Sequence, residues 1–164
     1  MAKARQDQSL IPSVLDRLID DEPEVRREAG KPRSQVLREL IQTVRRDLEN
    51  LLNTRRRWAT WPSDLEELPQ SLVAYGLPDV LASNLGSPEG REIYRRQIER
   101  TIRTFEPRFM TVRVELLDET EPIDRSLRFR VDALLRVQPS PEPVVFDSQL
   151  DPSTGTVTIS GAAR

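Results

Sequence analysis

The sequence predicts an α+β fold in which two principal helices pack on a three- to four-stranded antiparallel β-meander, preceded by a short N-terminal docking helix. The prediction rests on a change in apolar spacing along the chain. In residues 34–53 and 88–105, apolar side chains recur every three or four positions, as on one face of a helix. After residue 110 they alternate with polar ones, as in strands with one buried face. Helices first and strands later, with short connections, are typical of α+β domains.

Residues 1–33 are predicted to be an N-terminal extension to a single domain that spans residues 34–164. Within the extension, Val14, Leu15 and Leu18 share the apolar face of a short predicted helix. Two interpretations fit so short a helix: it packs on its own domain, or it orders when it docks on a partner.

The two principal helices are predicted from their ends as well as their apolar faces. The first spans residues 34–53, with Ser34 as its N-cap. The second begins after the N-cap Ser87 and ends at Glu106, because Pro107 disfavours the helical conformation in the residue before it. Intrahelical ion pairs are expected in the second helix, where acids precede arginines by four positions. They are Glu92 with Arg96 and Glu99 with Arg103.

The predicted strands follow the second helix. The first covers Val112–Leu116 and the second, a long strand with one buried face, Leu127–Val137. The last two, Val144–Leu150 and Thr156–Ser160, flank the turn Asp151–Gly155. Proline and glycine stand in this turn where a hairpin requires them, so these two strands are expected to pair.

Composition restricts the chemistry of this 164-residue chain. The chain contains neither Cys nor His, which excludes disulfides, sulfur-bound zinc and the usual Ser-His-Asp and Cys-His catalytic arrangements. With 37% apolar and 5% aromatic residues it can form one modest core, and we expect a partner to contribute stability. No run approaches the roughly 18 apolar residues of a membrane helix, and the first residues are too polar for a secretory signal. We expect a cytoplasmic, non-enzymatic protein with no cofactor, no metal and no direct membrane insertion.

Arginine-rich segments are the first candidate site. Together with Trp58 and Trp61, which have rings that could stack on bases, they could form a nucleic-acid-binding module. However, Lys and Arg total 25 and Asp and Glu 27, so the net charge of −2 lacks the basic excess typical of such proteins. Acidic and basic segments also succeed one another, which favours internal or subunit pairing. We therefore expect no nucleic acid as a partner.

Carboxylates after the first predicted strand are the second candidate site. Paired carboxylates can cleave glycosidic bonds without His when an apolar pocket raises the pKa of one of them. The sequence places no apolar run beside these residues, which favours the solvated acids of a turn over a peptidoglycan-cleaving, lysozyme-like site. They are Asp118, Glu119, Glu121 and Asp124.

The third candidate site is Glu106-Pro107-Arg108, at the junction between the second helix and the first strand. A proline between Glu and Arg fixes the direction of two opposite charges. Either these charges make charge-assisted contacts with a partner, or they form a local ion pair that ends the helix.

Four segments, in this order, together carry a resemblance to a known family. They are Val-Leu-Asp-Arg-Leu at 14–18, Arg-Arg-Asp-Leu-Glu-Asn-Leu-Leu-Asn-Thr-Arg at 45–55, Tyr-Gly-Leu-Pro-Asp at 75–79 and Ile-Glu-Arg-Thr-Ile-Arg-Thr-Phe-Glu-Pro-Arg at 98–108. The chain resembles TssE, the baseplate subunit of the type VI secretion system, and is similar to the lysozyme-like wedge proteins of contractile phage tails.

The resemblance implies a structural subunit rather than an enzyme. Such subunits lie in the baseplate wedge with TssF and TssG, in a baseplate that also contains TssK at the cytoplasmic face of the inner membrane. They contact the first ring of the TssB/TssC sheath and help to start its polymerisation. Glu106, Pro107 and Arg108 match the family's Glu-Pro-Arg motif, which would contact the wedge core.

The expected partner-binding residues form three groups. The Glu-Pro-Arg motif binds the wedge, the N-terminal helix docks on a partner, and the last strands offer an edge to which a strand of the sheath can add. These residues are Glu106, Pro107 and Arg108; Val14, Leu15 and Leu18; and Val145 and Val157.

Overall fold

The computed structural model describes residues 32–56, 62, 64–79, 85–117 and 126–163. Its two helices are α1, Arg33–Asn53, and α2, Pro88–Phe105, with short 3-10 turns between them at Leu68–Gln70 and Leu72–Ala74. The strands are β1, Phe109–Leu116; β2, Leu127–Leu135; β3, Glu142–Asp151; and β4, Thr156–Ala163. Two helices followed by an antiparallel sheet confirm the predicted α+β fold.

The four strands form one antiparallel meander in the order β1-β2-β3-β4, so β1 and β4 are its edges. Val145 lies in β3, opposite Asp132 of β2 and opposite Ala163 of β4. The expectation of a free strand edge at Val145 is therefore wrong, because β3 is paired along both sides. Val157 does lie on an edge strand, β4, opposite Leu150.

One face of the sheet carries the core. Alternate residues of every strand are buried in a single apolar cluster with the inner faces of both helices. Helix α2 packs mainly on β1 and helix α1 mainly on β4. The largest fully buried side chains are Phe129 and Phe146 of the sheet and Leu48 and Ile98 of the helices. The helices thus lie over the two edge strands, a placement that brings their polar side chains to both edges of the sheet.

The observed N-cap of α2 is the one that the sequence predicts, whereas that of α1 is not. Ser87 caps α2 as predicted, since its Oγ accepts the Gly90 N–H at 3.1 Å. Helix α1 begins one residue earlier than expected, at Arg33, and Pro32 takes the cap position without a side-chain hydrogen bond. The Ser34 N-cap is therefore wrong. The Pro32 carbonyl already accepts the N–H groups of residues 35 and 36, at 2.8 and 3.2 Å, so Ser34 is inside the first turn.

A tight turn at residues 75–77 lies against the C-terminal end of α1. The Leu77 N–H donates to the Thr54 carbonyl at 2.9 Å, and the Arg56 N–H donates to the Leu77 carbonyl at 2.7 Å. Gly76 adopts φ +99°, and a Cβ added there would lie 2.2 Å from the Thr54 oxygen. Only glycine fits this approach. This turn also places the Tyr75 ring against the Phe105 ring, edge to face, with the ring centroids 5.3 Å apart.

Three sequence predictions lie outside the described residues. They concern the short N-terminal helix with Val14, Leu15 and Leu18; the tryptophans Trp58 and Trp61; and the carboxylates Asp118, Glu119, Glu121 and Asp124. In the part of the chain that is described, neither helix is long and apolar enough to cross a membrane.

Candidate functional site

The Glu-Pro-Arg motif forms the corner between α2 and β1. Glu106 ends the helix, because its N–H donates to the Ile102 carbonyl at 2.9 Å while its own backbone leaves the helical conformation. The Glu106 carbonyl then accepts the Phe109 N–H at 3.2 Å, at the first residue of β1. The Arg108 carbonyl accepts the Arg136 N–H at 2.8 Å, just beyond the end of β2. Backbone hydrogen bonds thus hold the corner on both sides.

Glu106 and Arg108 form a bidentate ion pair within the corner. The Arg108 Nε donates to Glu106 Oε1 at 2.6 Å, and Nη2 donates to Oε2. The Arg108 backbone N–H also donates to Oε1, at 3.2 Å. The Glu106 residue is only 5% exposed, so the pair holds a nearly buried carboxylate. Two parallel charge-assisted bonds fix the guanidinium in orientation as well as position.

Asp47 of α1 completes the cluster. The Arg108 Nη2 donates to Asp47 Oδ2 at 2.7 Å, so one guanidinium lies between two carboxylates. Burial by itself would lower the pKa of Arg108, but the hydrogen bonds and charges of Glu106 and Asp47 outweigh it and raise the pKa further above its ordinary value. Arg108 therefore stays charged, and it links the C-terminal half of α1 to the corner between α2 and β1.

Tyr75 lies beside this cluster. Burial, and then the negative charges of Asp47 and Glu106, raise the pKa of its hydroxyl above the ordinary value of 10.0. We name Asp47, Tyr75, Glu106 and Arg108 the corner cluster. Sequence reasoning did not single out Asp47 or Tyr75 as site residues. The available signal was their place inside two of the segments that carry the family resemblance, at 45–55 and 75–79.

The corner cluster bears on the two interpretations of the Glu-Pro-Arg motif. A local ion pair is present, and the carboxylate of Glu106 is engaged in it. Pro107 is exposed, and about a quarter of the Arg108 side chain, 24%, remains accessible. Contact with a partner stays a prediction, and this geometry directs it to Pro107 and the outer part of Arg108 rather than to Glu106.

The edge of β1 is hydrogen-bonded to side chains of α2. Arg103 Nη2 donates to the Val112 carbonyl at 3.0 Å, and Arg95 Nη1 donates to the Val114 carbonyl at 2.9 Å. The Val114 N–H donates in turn to Glu99 Oε2 at 3.2 Å. Side chains of α2 thus bind both backbone groups of Val114 and the carbonyl of Val112 at this edge, as a neighbouring strand would.

An ion-pair network holds the α2 side chains at this edge. The predicted pairs Glu92–Arg96 and Glu99–Arg103 are present, at 2.8 and 2.9 Å. Arg95, which the sequence analysis did not include, links them through contacts of 2.8 Å to Glu92 and 2.7 Å to Glu99. Hydrogen bonds from Arg95 and Arg96 lower the pKa of Glu92 to about 2. Arg95, Glu99 and Arg103 of this network line a groove of about 670 Å³ along β1.

The edge of β4 is hydrogen-bonded to side chains of α1. The side-chain amide of Asn53 hydrogen-bonds both backbone groups of Val157. Its Oδ1 accepts the Val157 N–H and its Nδ2 donates to the Val157 carbonyl, each at 2.8 Å. Arg45 Nη1 donates to the Ile159 carbonyl at 3.2 Å. The predicted edge at Val157 is therefore real as a strand position, but α1 covers it in this structure.

Hydrogen bonds displace the pKa of some carboxyl groups among the described residues. Where their pKa is displaced, at Glu92, Glu99 and Asp151, it is lowered, by hydrogen bonds to arginines, a backbone N–H or a serine. A general acid for glycoside hydrolysis needs a raised pKa, and the carboxylates that the sequence offers for that role, Asp118, Glu119, Glu121 and Asp124, lie outside the described residues. Within the described ranges, no three acids gather as they would around a metal ion.

The sequence of this chain matches a known protein family. Residues 38–140 match the model of a family described as baseplate wedge protein gp25. The matched range includes Asp47 and Tyr75, all three residues of the Glu-Pro-Arg motif and helix α2. A search of curated proteins gave no match. Because the family match covers more than half of the chain, the chain belongs to the family of baseplate wedge protein gp25.

Proposed function

We propose that this protein is a structural baseplate subunit of a type VI secretion system, which joins the wedge to the contractile sheath and helps to start sheath polymerisation. Membership in the gp25 family supports a role in a baseplate wedge. The finer assignment, to the secretion system rather than a phage tail, rests on the resemblance of the four segments to TssE.

The observation that carries the wedge contact is the preorganised corner. Arg108 is held by two carboxylates from different elements, and Pro107 projects beside it, exposed. A partner that binds this surface meets side chains that are already ordered, so association loses little conformational freedom there. We infer that the wedge proteins TssF and TssG contact Pro107 and the outer part of Arg108.

The sheath contact is argued from the sheet. An antiparallel sheet with an edge strand can accept one more strand through main-chain hydrogen bonds. The described sheet ends in β4 on one side, and Val157 lies on this edge strand. We infer that a strand of TssB/TssC adds to the sheet, and that the N-terminal helix with Val14, Leu15 and Leu18 docks on a neighbouring subunit.

A scaffold role also fits the chemistry of the described acids better than hydrolysis does. The pKa values of Glu92 and Glu99 are lowered, and both carboxylates bind arginines that hold elements of the fold together. We therefore propose a non-enzymatic protein without cofactor, which acts beside TssK at the cytoplasmic face of the inner membrane and binds no nucleic acid.

Co-expression with TssF and TssG, followed by size-exclusion chromatography, tests the proposal. We expect the chain to co-elute with both proteins. Pro107→Asp places a negative charge in the contact, so it should abolish co-elution. Because Pro107 also helps to fix the corner, thermal melting is measured beside it to show that the variant is folded. Pro88→Asp is the matched control, because Pro88 is also exposed but stands at the opposite end of α2.

Two outcomes would contradict the proposal. If the unmodified chain does not co-elute with the wedge proteins, its role as a wedge subunit is wrong. If Pro107→Asp co-elutes as well as Pro88→Asp does, the chain belongs to the wedge but the corner is not the contact.

A further inference from the structure

The hydrogen bonds at the edge of β4 indicate what kind of ligand this edge takes. The side-chain amide of Asn53 presents one donor and one acceptor to Val157, at 2.8 Å each. In an antiparallel pair, one residue of an adjacent strand offers its own N–H and C=O, which belong to two successive peptide groups, to the residue opposite. The Asn53 amide therefore makes the two hydrogen bonds that the backbone N–H and C=O of one residue in an added strand would make.

The two edges of the sheet differ in how firmly they are covered. At β1 the covering side chains carry charge, and both Arg95 and Glu99 are about one-fifth exposed and ion-paired to each other. To free this edge would break charge-assisted hydrogen bonds of both residues to the Val114 backbone, and such bonds are about twice as strong as neutral ones. At β4 the main covering group is the neutral amide of Asn53, an exposed residue at the last position of α1. A second covering group, the guanidinium of Arg45, donates to the Ile159 carbonyl. To free this edge exchanges the two neutral hydrogen bonds of Asn53 for two others of the same kind and displaces the single hydrogen bond of Arg45.

We propose that β4 is the edge to which a sheath strand adds, and that Asn53 is a latch that covers this edge until the strand displaces it. This inference rests on the proposed function. In the free subunit the latch satisfies Val157 and so disfavours pairing with other exposed strands, including those of further copies of the chain. In the assembly, the backbone of the incoming strand takes over both hydrogen bonds.

The pairing register limits the stretch that can accept the strand. Residues Thr156–Ser160 pair regularly with β3, and the register then shifts, with Asp147 opposite Ser160 and Phe146 opposite Ala162. Gly161 is the extra residue of this bulge, and bulges end regular pairing at sheet edges. The incoming strand is thus expected to pair along Thr156–Ser160, where the outward-facing backbone groups belong to Val157 and Ile159.

Two measurements on the full chain test the inference, with the TssB/TssC sheath protein as the binding partner. The first is the dissociation constant of the Asn53→Ala variant. Because the variant has no latch to displace, its dissociation constant should fall about fivefold, the equivalent of roughly one net hydrogen bond. Asn50→Ala, another exposed asparagine on α1, is the matched control and should bind as the unmodified chain does. Arg103→Gln, which uncovers only the β1 edge, should also leave binding unchanged.

The second measurement is amide hydrogen exchange in the unmodified chain, which does not depend on the folding of any variant. Addition of the sheath protein should slow exchange at Val157 and Ile159 and leave the amides of Val112 and Val114 unaffected. Slower exchange at Val112 and Val114 instead would assign the added strand to β1 and overturn the inference. Equal or weaker binding by Asn53→Ala would overturn the latch even if the sheath binds at β4. If the unmodified chain binds neither the sheath nor TssF and TssG, the proposed function itself fails.

Discussion

Asp47 accepts a hydrogen bond of 2.7 Å from the guanidinium of Arg108, which is 61 residues further along the chain. This contact joins the C-terminal half of α1 to the corner between α2 and β1. The motif that the sequence singles out, Glu106-Pro107-Arg108, thus depends for its geometry on a residue outside the motif. Helix α1 has a second role besides core packing, because it positions the arginine that we propose to meet the wedge.

The first prediction concerns this positioning role. Asp47→Asn keeps the shape of the side chain but removes its charge, so Arg108 retains only its pair with Glu106. We expect a loss of about 1 kcal/mol in the free energy of unfolding, since the Asp47 side chain is 31% exposed and solvent screens part of the interaction. Urea denaturation measures the loss. Glu49→Gln on the same helix is the control, and an equal loss in both variants would show that Asp47 has no special role.

The second prediction concerns the partner that Arg108 provides for Glu106. Arg108→Ala leaves the Glu106 carboxylate, which is 6% exposed, without its ion pair. Removal of one member of a nearly buried pair costs about 3–5 kcal/mol, because the remaining charge is uncompensated. Arg103→Ala, at a side chain that is 63% exposed, should cost less than about 1 kcal/mol. Chemical denaturation of both variants compares the two losses, and similar values would contradict a structural role for the corner pair.

The third prediction concerns the turn that places Tyr75 in the corner cluster. Gly76→Ala forces a side chain into φ +99° and brings its Cβ to 2.2 Å from the Thr54 oxygen, so the turn must separate from the end of α1. We expect a loss of at least about 2 kcal/mol from backbone strain and steric overlap. Gly161→Ala is the matched control. A Cβ there meets no atom within 4 Å, and its effect should stay within about 0.5 kcal/mol. Thermal melting of both variants compares the loss of stability in Gly76→Ala with that in Gly161→Ala.

Much of the fold could be predicted from the sequence because its determinants are local. Apolar spacing located both helices and the four strands, and Ser87 and Pro107 marked the ends of α2. The hairpin between β3 and β4 has Gly155 at φ +70°, the conformation for which glycine is suited. In each case the residues that decide the structure are within a few positions of the element that they decide.

The rest of the candidate site could not be predicted, because it depends on contacts between residues far apart in the sequence. Asp47 meets Arg108 only after α1 and the corner have packed on the same sheet, and Asn53 meets Val157 across 104 residues. Strand order is a property of the whole sheet, and so the position of Val145 on an interior strand was not readable from its own segment. Periodicity identifies which face of an element is buried, but not which neighbour covers it.

The fourth prediction concerns acid pH and the network that covers β1. Hydrogen bonds from Arg95 and Arg96 lower the pKa of Glu92 from 4.5 to about 2. Although burial opposes it, the pKa of Glu99 is also lowered, through hydrogen bonds from the Val114 N–H and Arg95. Both carboxyls bind protons more weakly in the folded state than in the unfolded state. Their contribution to stability is therefore present above about pH 4.5 and is lost as the pH falls towards 2.

Denaturation free energies measured from about pH 6 down to about pH 2 test this dependence. The unmodified chain should lose stability across the interval, and the loss should be smaller in Glu92→Gln and Glu99→Gln, which have no proton to take up at these positions. Glu66→Gln changes an exposed position outside the network, so its free energy of unfolding should fall with pH as steeply as that of the unmodified chain. If the free energy of unfolding of Glu99→Gln falls with pH as steeply as that of the unmodified chain, the Glu99 carboxylate does not stabilise the β1 edge. A reduced slope, together with faster amide exchange at Val114 in that variant, would tie the acid sensitivity of the fold to the side chains that close this edge.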